Sequence, residues 1–152
     1  MSDIIAALET QARDLIFPAF DEARAVALGL ILLRRAQADH LPVVISIRTT
    51  SRSLFHAALP GSTPLNDLWA RRKSNTALIF GQSSYLVGLR HAAKGETLAR
   101  HGLDPADHAD HGGAVPIMVA GSGMIAVACV SGLPSAEDHA LVIAAFREAL
   151  DA

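Results

Sequence analysis

Gly121-Ser122-Gly123 separates two apolar runs and constrains this chain more than any other feature. Before it stands Pro116 to Val119, and Gly123 to Ser131 continues from it, rich in Ile, Val and Ala. A glycine turn this short reverses the chain, so the two predicted strands pair as an antiparallel hairpin. A second reversal lies upstream. Pro42 introduces the β-branched run Val43 to Thr49, Thr50-Ser51-Arg52 is a plausible turn, and Ser53 to Leu59 is a return strand.

Two hairpins need cover, and helices flank them. Asp3 to Phe17 is predicted helical, with Ile4, Leu8, Ala12 and Leu15 on one face and a stop at Pro18. Asp21 to Ala38 is a second helix, whose acidic start and basic end (Arg34, Arg35) suit the helix dipole. It is apolar nearly all round between Val26 and Leu33, as in a helix buried on more than one side. After the loop Pro60 to Pro64, Asn66 can cap a helix reaching about Phe80. Ser83 or Ser84 can cap another through Lys94, ended by Gly95. A short helix is expected after Asp104-Pro105. Ser135-Ala-Glu-Asp138 resembles a capping box with Asp in its last place, and opens a final helix to Leu150. The order α-α-β-β-α-α-β-β-α predicts an α+β domain, an antiparallel sheet with helices packed on it. The 152 residues fit one such domain, residues 1–152.

Composition narrows the partners. Hydrophobic residues make up 51% of the chain and charged residues 18%, which excludes disorder and leaves apolar surface to bury between subunits of a homo-oligomer. A net charge of −2 gives no footprint for nucleic acid or anionic lipid. The longest strongly apolar run, Val26 to Leu33, is far shorter than the roughly 20 residues of a membrane span, so no membrane partner is expected. The start Met-Ser-Asp lacks the regions of a secretory leader, and the single cysteine suits a reducing cytoplasm. Cys129 lies in an apolar strand and is expected to be a buried, inert thiol.

Three constellations could carry chemistry. In Asp110-His-Gly-Gly-Ala-Val-Pro-Ile117, Gly112 and Gly113 let the backbone approach another group or adopt positive φ, and Pro116 fits a strand start or edge. Hairpin pairing puts them at the same sheet end as Ser131-Gly132. The result is a corner with His111 at its rim and backbone N–H groups for an anion. The same residues equally suit an ordinary tight connection and helix cap. Next, Arg71, Arg72 and Lys73 follow Trp69 on a predicted helix, with Arg71 and Asn75 on one face. They could neutralise and hydrogen-bond an anionic ligand, or form a solvated helix face. Last, a helix after Pro105 would put His108 and His111 at i,i+3, beside Asp107 and Asp110, as weak candidate metal ligands or plain surface. No elbow motif, Gly-rich lysine loop or Ser–His pairing supports nucleophilic catalysis.

From Gly112 onward the chain resembles the haem-degrading, haem-binding-protein-S-like domain family. The resemblance rests on "GGAVPI" (Gly112 to Ile117), the turn glycines Gly121 and Gly123, "VSG" (Val130 to Gly132) and Asp138. "LPGSTPLNDLW" (Leu59 to Trp69), "RRKSNT" (Arg71 to Thr76), "SSYLVG" (Ser83 to Gly88) and "SGLPSAEDH" (Ser131 to His139) resemble an uncharacterised cytoplasmic branch of that family more closely. The resemblance implies a profilin-like sandwich assembling as a dimer or larger ring, and a link to haem or another tetrapyrrole. Together these readings lead to a homo-oligomeric protein that binds a small anionic ligand. Arg71, Arg72, Lys73, Asn75, Gly112, Gly113, Pro116, Ser131 and Gly132 would surround that ligand, and His111 would be its candidate axial ligand or acid/base. The alternatives are a non-catalytic assembly protein and a metal-assisted enzyme using His108 and His111.

Overall fold

A computed structural model describes residues 2–152. The chain runs α1 (Ser2–Asp14), β1 (Ile16–Phe17), α2 (Glu22–Ala38), β2 (Val44–Arg48), β3 (Ser53–Ala58), α3 (Pro64–Phe80), α4 (Ser84–Lys94), a 3-10 turn (Leu98–His101), β4 (Ala114–Val119), β5 (Gly123–Ser131) and α5 (Ser135–Asp151). Both expected hairpins form. β4 pairs antiparallel with β5, and β2 with β3. β2 also pairs antiparallel with β5, giving the order β1-β4-β5-β2-β3.

The sheet is mixed, not purely antiparallel. The first helix ends at Asp14 rather than Phe17, and Ile16 and Phe17 pair parallel with Met118 and Val119. Two residues are too short a strand to read from a pattern, and Leu15 still continues the apolar spacing of the helix. β1 reaches only Met118 and Val119, so Pro116 stands on the unpaired stretch of that β4 edge, where a missing N–H does least harm.

Alternation along the strands sorts side chains to two covered faces. Ile45, Ile47, Val115, Ile117, Ala126, Ala128 and Val130 join Leu28, Leu32, Val142 and Phe146, so α2 and α5 cover one face. Val44, Ala114, Val127 and Cys129 pack with Ala70 and Ala77 of α3 on the other. β5 is therefore buried on both sides, which explains its unbroken apolar run. No helix of the described residues is long and apolar enough to cross a membrane.

Three local expectations need correction. Thr63, not Asn66, caps α3, with Pro64 in the first turn. Asn66 sits at the third helical position, where its Oδ1 accepts from Thr63 N–H at 2.8 Å. Ser135 begins α5 rather than capping it, and Asp138 turns back to accept from Gly132 N–H and Leu133 N–H. No helix follows Pro105. Asp104 closes one turn through its side chain and carbonyl, and Ala109 N–H is then drawn to Arg72 O and Thr76 Oγ1 of α3. That pairing with α3 straightens the chain before a second turn can form.

Candidate functional site

The corner exists where the hairpin register puts it. Ala114 pairs with Cys129, and Val130 N–H donates to Gly113 O at 3.1 Å, so Gly112-Gly113 and Ser131-Gly132 share one sheet end. The close approach these glycines permit is to the protein itself. A Cβ on Gly112 would stand 2.3 Å from Ser135 O. On Gly113, at φ +140°, it would stand 2.3 Å from Val130 O and 2.5 Å from Lys73 Nζ. Any side chain there is excluded by both backbone conformation and space.

Lys73 is the second surprise. It sits in the middle of α3 on the face turned to the sheet, and its side chain is 4% exposed. Its ammonium donates to Gly112 O and Val130 O, both at 2.9 Å, and to Asp138 Oδ2 at 3.1 Å. An ammonium has three N–H donors, and all three are occupied. Asp138 accepts in addition from Gly132 N–H at 3.3 Å and Leu133 N–H at 3.0 Å. Burial pushes the Asp138 carboxyl up from its ordinary value, against the pull of Lys73 and the two amides. The anion that fills this corner is therefore the protein's own carboxylate. The amide donors expected for a ligand already serve Asp138, and Lys73 is an internal latch rather than part of a solvated face.

The two arginines lie outside the latch. Arg71 pairs with Asp107 at 3.0 Å, and Asn75 Nδ2 donates to Asp107 O at 2.8 Å, so the expected common face grips the 104–109 loop. Arg72 Nε donates to Pro105 O at 2.9 Å while its guanidinium lies 4.5 Å from the Trp69 ring centre. Trp69 in turn meets His111 edge to face, with ring centres 5.1 Å apart. His111 is exposed, and its ring makes no hydrogen bond among the described residues.

Above the latch lies an open groove of about 400 Å³ between Asn66, Trp69, His111, Ser131 and Pro134, with Lys73 and Asp138 in its floor. The size falls within the range of small-molecule sites. Its chemistry is one aromatic wall and one free imidazole over a closed polar floor. Pro116 lies elsewhere, in the lining of a smaller cavity between α1, α4 and α5. His108 is tied to Asp104 O through Nδ1, and no helix face joins it to His111. Cys129 is fully buried, and burial pushes its thiol up to about 11, so it is no nucleophile at neutral pH. Trp69 and Asp138 were hidden from site reading, because an aromatic within a helix and an acid in a first turn both look structural.

Comparison with known proteins agrees with the fold. Residues 20–147 match the family model described as haem degrading protein HbpS-like. A UPF0303 protein of Streptomyces avermitilis is 48% identical over 145 residues, covering 95% of this chain and 89% of the relative. The crystal structure of Ybr137w superposes with a TM-score of 0.88 at 28% identity, covering 97% of this chain and 87% of that one. PduOC, solved as a complex with heme, superposes with a TM-score of 0.68 at 21% identity over 84% of this chain and 94% of that one. An α+β sandwich with its second hairpin, glycine corner and terminal helix in this order, matched over most of its length, belongs to the HbpS-like haem-degrading protein family.

Proposed function

We propose that the groove over the Lys73–Asp138 latch binds a small, flat, anionic ligand, haem or a related tetrapyrrole first among the candidates. The observation that carries this reading is the pairing of Trp69 with an exposed, unengaged His111 at the rim of the groove. A flat ring can stack on the indole while the imidazole supplies an axial nitrogen. The haem bound by PduOC, a protein of the same fold, supports the choice of ligand class.

The cation set fits such a ligand only in part. Lys73 has no free donor, Arg71 is paired with Asp107, and Arg72 is held by Pro105 O and Trp69. Acidic groups of the ligand would therefore lie toward solvent, with Arg72 nearest, rather than in a buried salt bridge. Haem titration of the purified protein, read by visible spectroscopy, tests the reading. The expected result is a shifted Soret band that His111→Ala changes or abolishes. No shift in wild type, or one indifferent to His111→Ala, removes the proposed ligation.

A second reading, assembly as a cytoplasmic homo-oligomer, draws on surface apolarity. α2 buries Ala25, Leu28, Leu32 and Ala36 but leaves Val26 45% and Leu30 53% exposed. These two residues are one helical turn apart and form a contiguous apolar strip.

A further inference from the structure

We propose that His91, Glu96 and His101 form a binding site for a divalent transition-metal cation of the zinc class, separate from the groove. His91 lies in the last turn of α4. Gly95 ends that helix in the left-handed region, φ +64°, and the reversal lets Glu96 N–H donate to His91 O at 2.9 Å. The 3-10 turn Leu98–His101 then folds His101 back over His91. One ligand atom from each of the three residues lies within 4.8 Å of the others.

The two histidine nitrogens already stand at a metal-binding separation, and Glu96 joins them by turning away from Arg100. The two Nε2 atoms stand 3.2 Å apart. Two imidazoles bound tetrahedrally to zinc at about 2.0–2.1 Å place their nitrogens about 3.3 Å apart. His91 Nδ1 is 2.8 Å from Asp110 Oδ2. In the neutral ring that contact makes Nδ1 the donor and leaves Nε2 with its lone pair facing His101. This is the carboxylate–histidine arrangement that orients metal-binding imidazoles. The backbone that carries this carboxylate lies tight against α4, since a Cβ on Gly88, one turn before His91, would stand 2.0 Å from the main-chain O of Asp110.

Two histidines and a glutamate match the ligand set of zinc sites that keep a fourth position open. Here the fourth side faces a cavity of about 160 Å³ bounded by Phe80, Val87 and Lys94. Phe80 packs edge-on against both imidazoles, at 5.9 and 5.2 Å between ring centres, and supplies the apolar wall. Three cations lie nearby. Arg90 is neutralised by Glu9 at 3.1 Å. Lys94 is exposed to solvent. Arg100 holds Glu96 at 3.2 Å, but its side chain is 67% exposed, so a metal displaces a weak contact.

The full chain, stripped with a chelator, is titrated with zinc alone by calorimetry and checked by elemental analysis. The expected result is one zinc per chain, with Tm raised by about 5–10 °C at a hundredfold excess over Kd. His101→Ala, at an exposed position that leaves folding intact, should lose stoichiometric binding. Asp110→Asn should weaken it by about 10–100-fold. His111→Ala should bind zinc as wild type does, which separates this site from the groove. Less than one zinc per wild-type chain, zinc retained by His101→Ala, or zinc lost in His111→Ala would each overturn the assignment.

Discussion

Replacing Lys73 with methionine separates the latch from a ligand-binding role for the same residue. Methionine keeps the length and apolar bulk of the lysine stem and removes only its charge and donors. Three contacts disappear at once: those to Gly112 O, Val130 O and Asp138 Oδ2. Removing one partner of a buried ion pair costs about 3–5 kcal/mol, because the other charge is left in a poor solvent. Asp138 keeps its two amide donors, which argues for the lower half of that range. In a chain of this size a loss of about 3–4 kcal/mol lowers Tm by about 6–16 °C. Urea unfolding at neutral pH, followed by circular dichroism, measures it. Burial already raises the Asp138 pKa, and removing Lys73 raises it further, since Lys73 is the main opposing influence. A folded-state pKa above the unfolded value favours the folded state at low pH and opposes it at high pH. The deficit of Lys73→Met relative to wild type is therefore greatest above the raised Asp138 pKa and shrinks as pH falls through it. Adding Asp138→Asn should recover part of the loss, because it removes the uncompensated charge while the amide oxygen still accepts from one of the two backbone N–H groups. A Lys73→Met protein within about 1 kcal/mol of wild type would refute the latch and return Lys73 to the ligand.

Two further outcomes follow from burial and exposure. His139 is 5% exposed, its Nε2 donates to Gln11 Oε1 at 2.9 Å, and burial pushes its pKa from 6.5 down to about 4. The unfolded chain takes up the proton first, so this stability is fully present above pH 6.5 and is lost as pH falls toward 4, by about 3 kcal/mol in all. Unfolding measured across that window should flatten in His139→Gln, and an unchanged slope would exclude His139 as the cause. For assembly, light scattering should report an oligomer that Val26→Glu/Leu30→Glu reduces to monomer; a monomeric wild type, or an unaltered oligomer in the variant, would exclude α2 as the contact.

The fold was legible where one short signal forced one geometry. Gly121-Ser-Gly123 fixed the β4–β5 hairpin, and the continuous apolar run of β5 matched a strand covered on both sides. β1 was not legible, because two residues carry no period and their pairing with β4 is set by tertiary contact. The 104–111 segment failed for a related reason. Asp104-Pro105 is a valid helix start, but hydrogen bonds from Ala109 to α3 outweigh a second turn. At the candidate site, hairpin register brought the glycines together as expected, while the burial of Lys73 was not legible. Beside two arginines it looks like one more surface charge. Only the crossing of α3 over the sheet end brings it to Asp138, 65 residues away. His91, Glu96 and His101 escaped notice because their five-residue spacing puts no two of them on one helix face; a left-handed glycine and a 3-10 turn bring them together.

The corner and the histidine cluster share one piece of backbone. Asp110 and His111 are consecutive, yet the carboxylate of the first turns to His91 and the ring of the second turns to Trp69. Gly112 follows, with its carbonyl held by Lys73 and its Cα pressed against Ser135. On the other side, Ala109 is bound to α3 by its N–H. The segment from Ala109 to Gly113 is thus tied at both ends before either side chain meets a ligand. Ordering a loop of this kind on binding would cost free energy for each residue fixed. Here the ordering is built into the fold. On the two proposed sites the latch would contribute to binding without contacting the ligand, by keeping the segment that carries His111 and Asp110 in place. Loosening it by Lys73→Met should weaken both sites together, whereas His111→Ala and His101→Ala should each affect one.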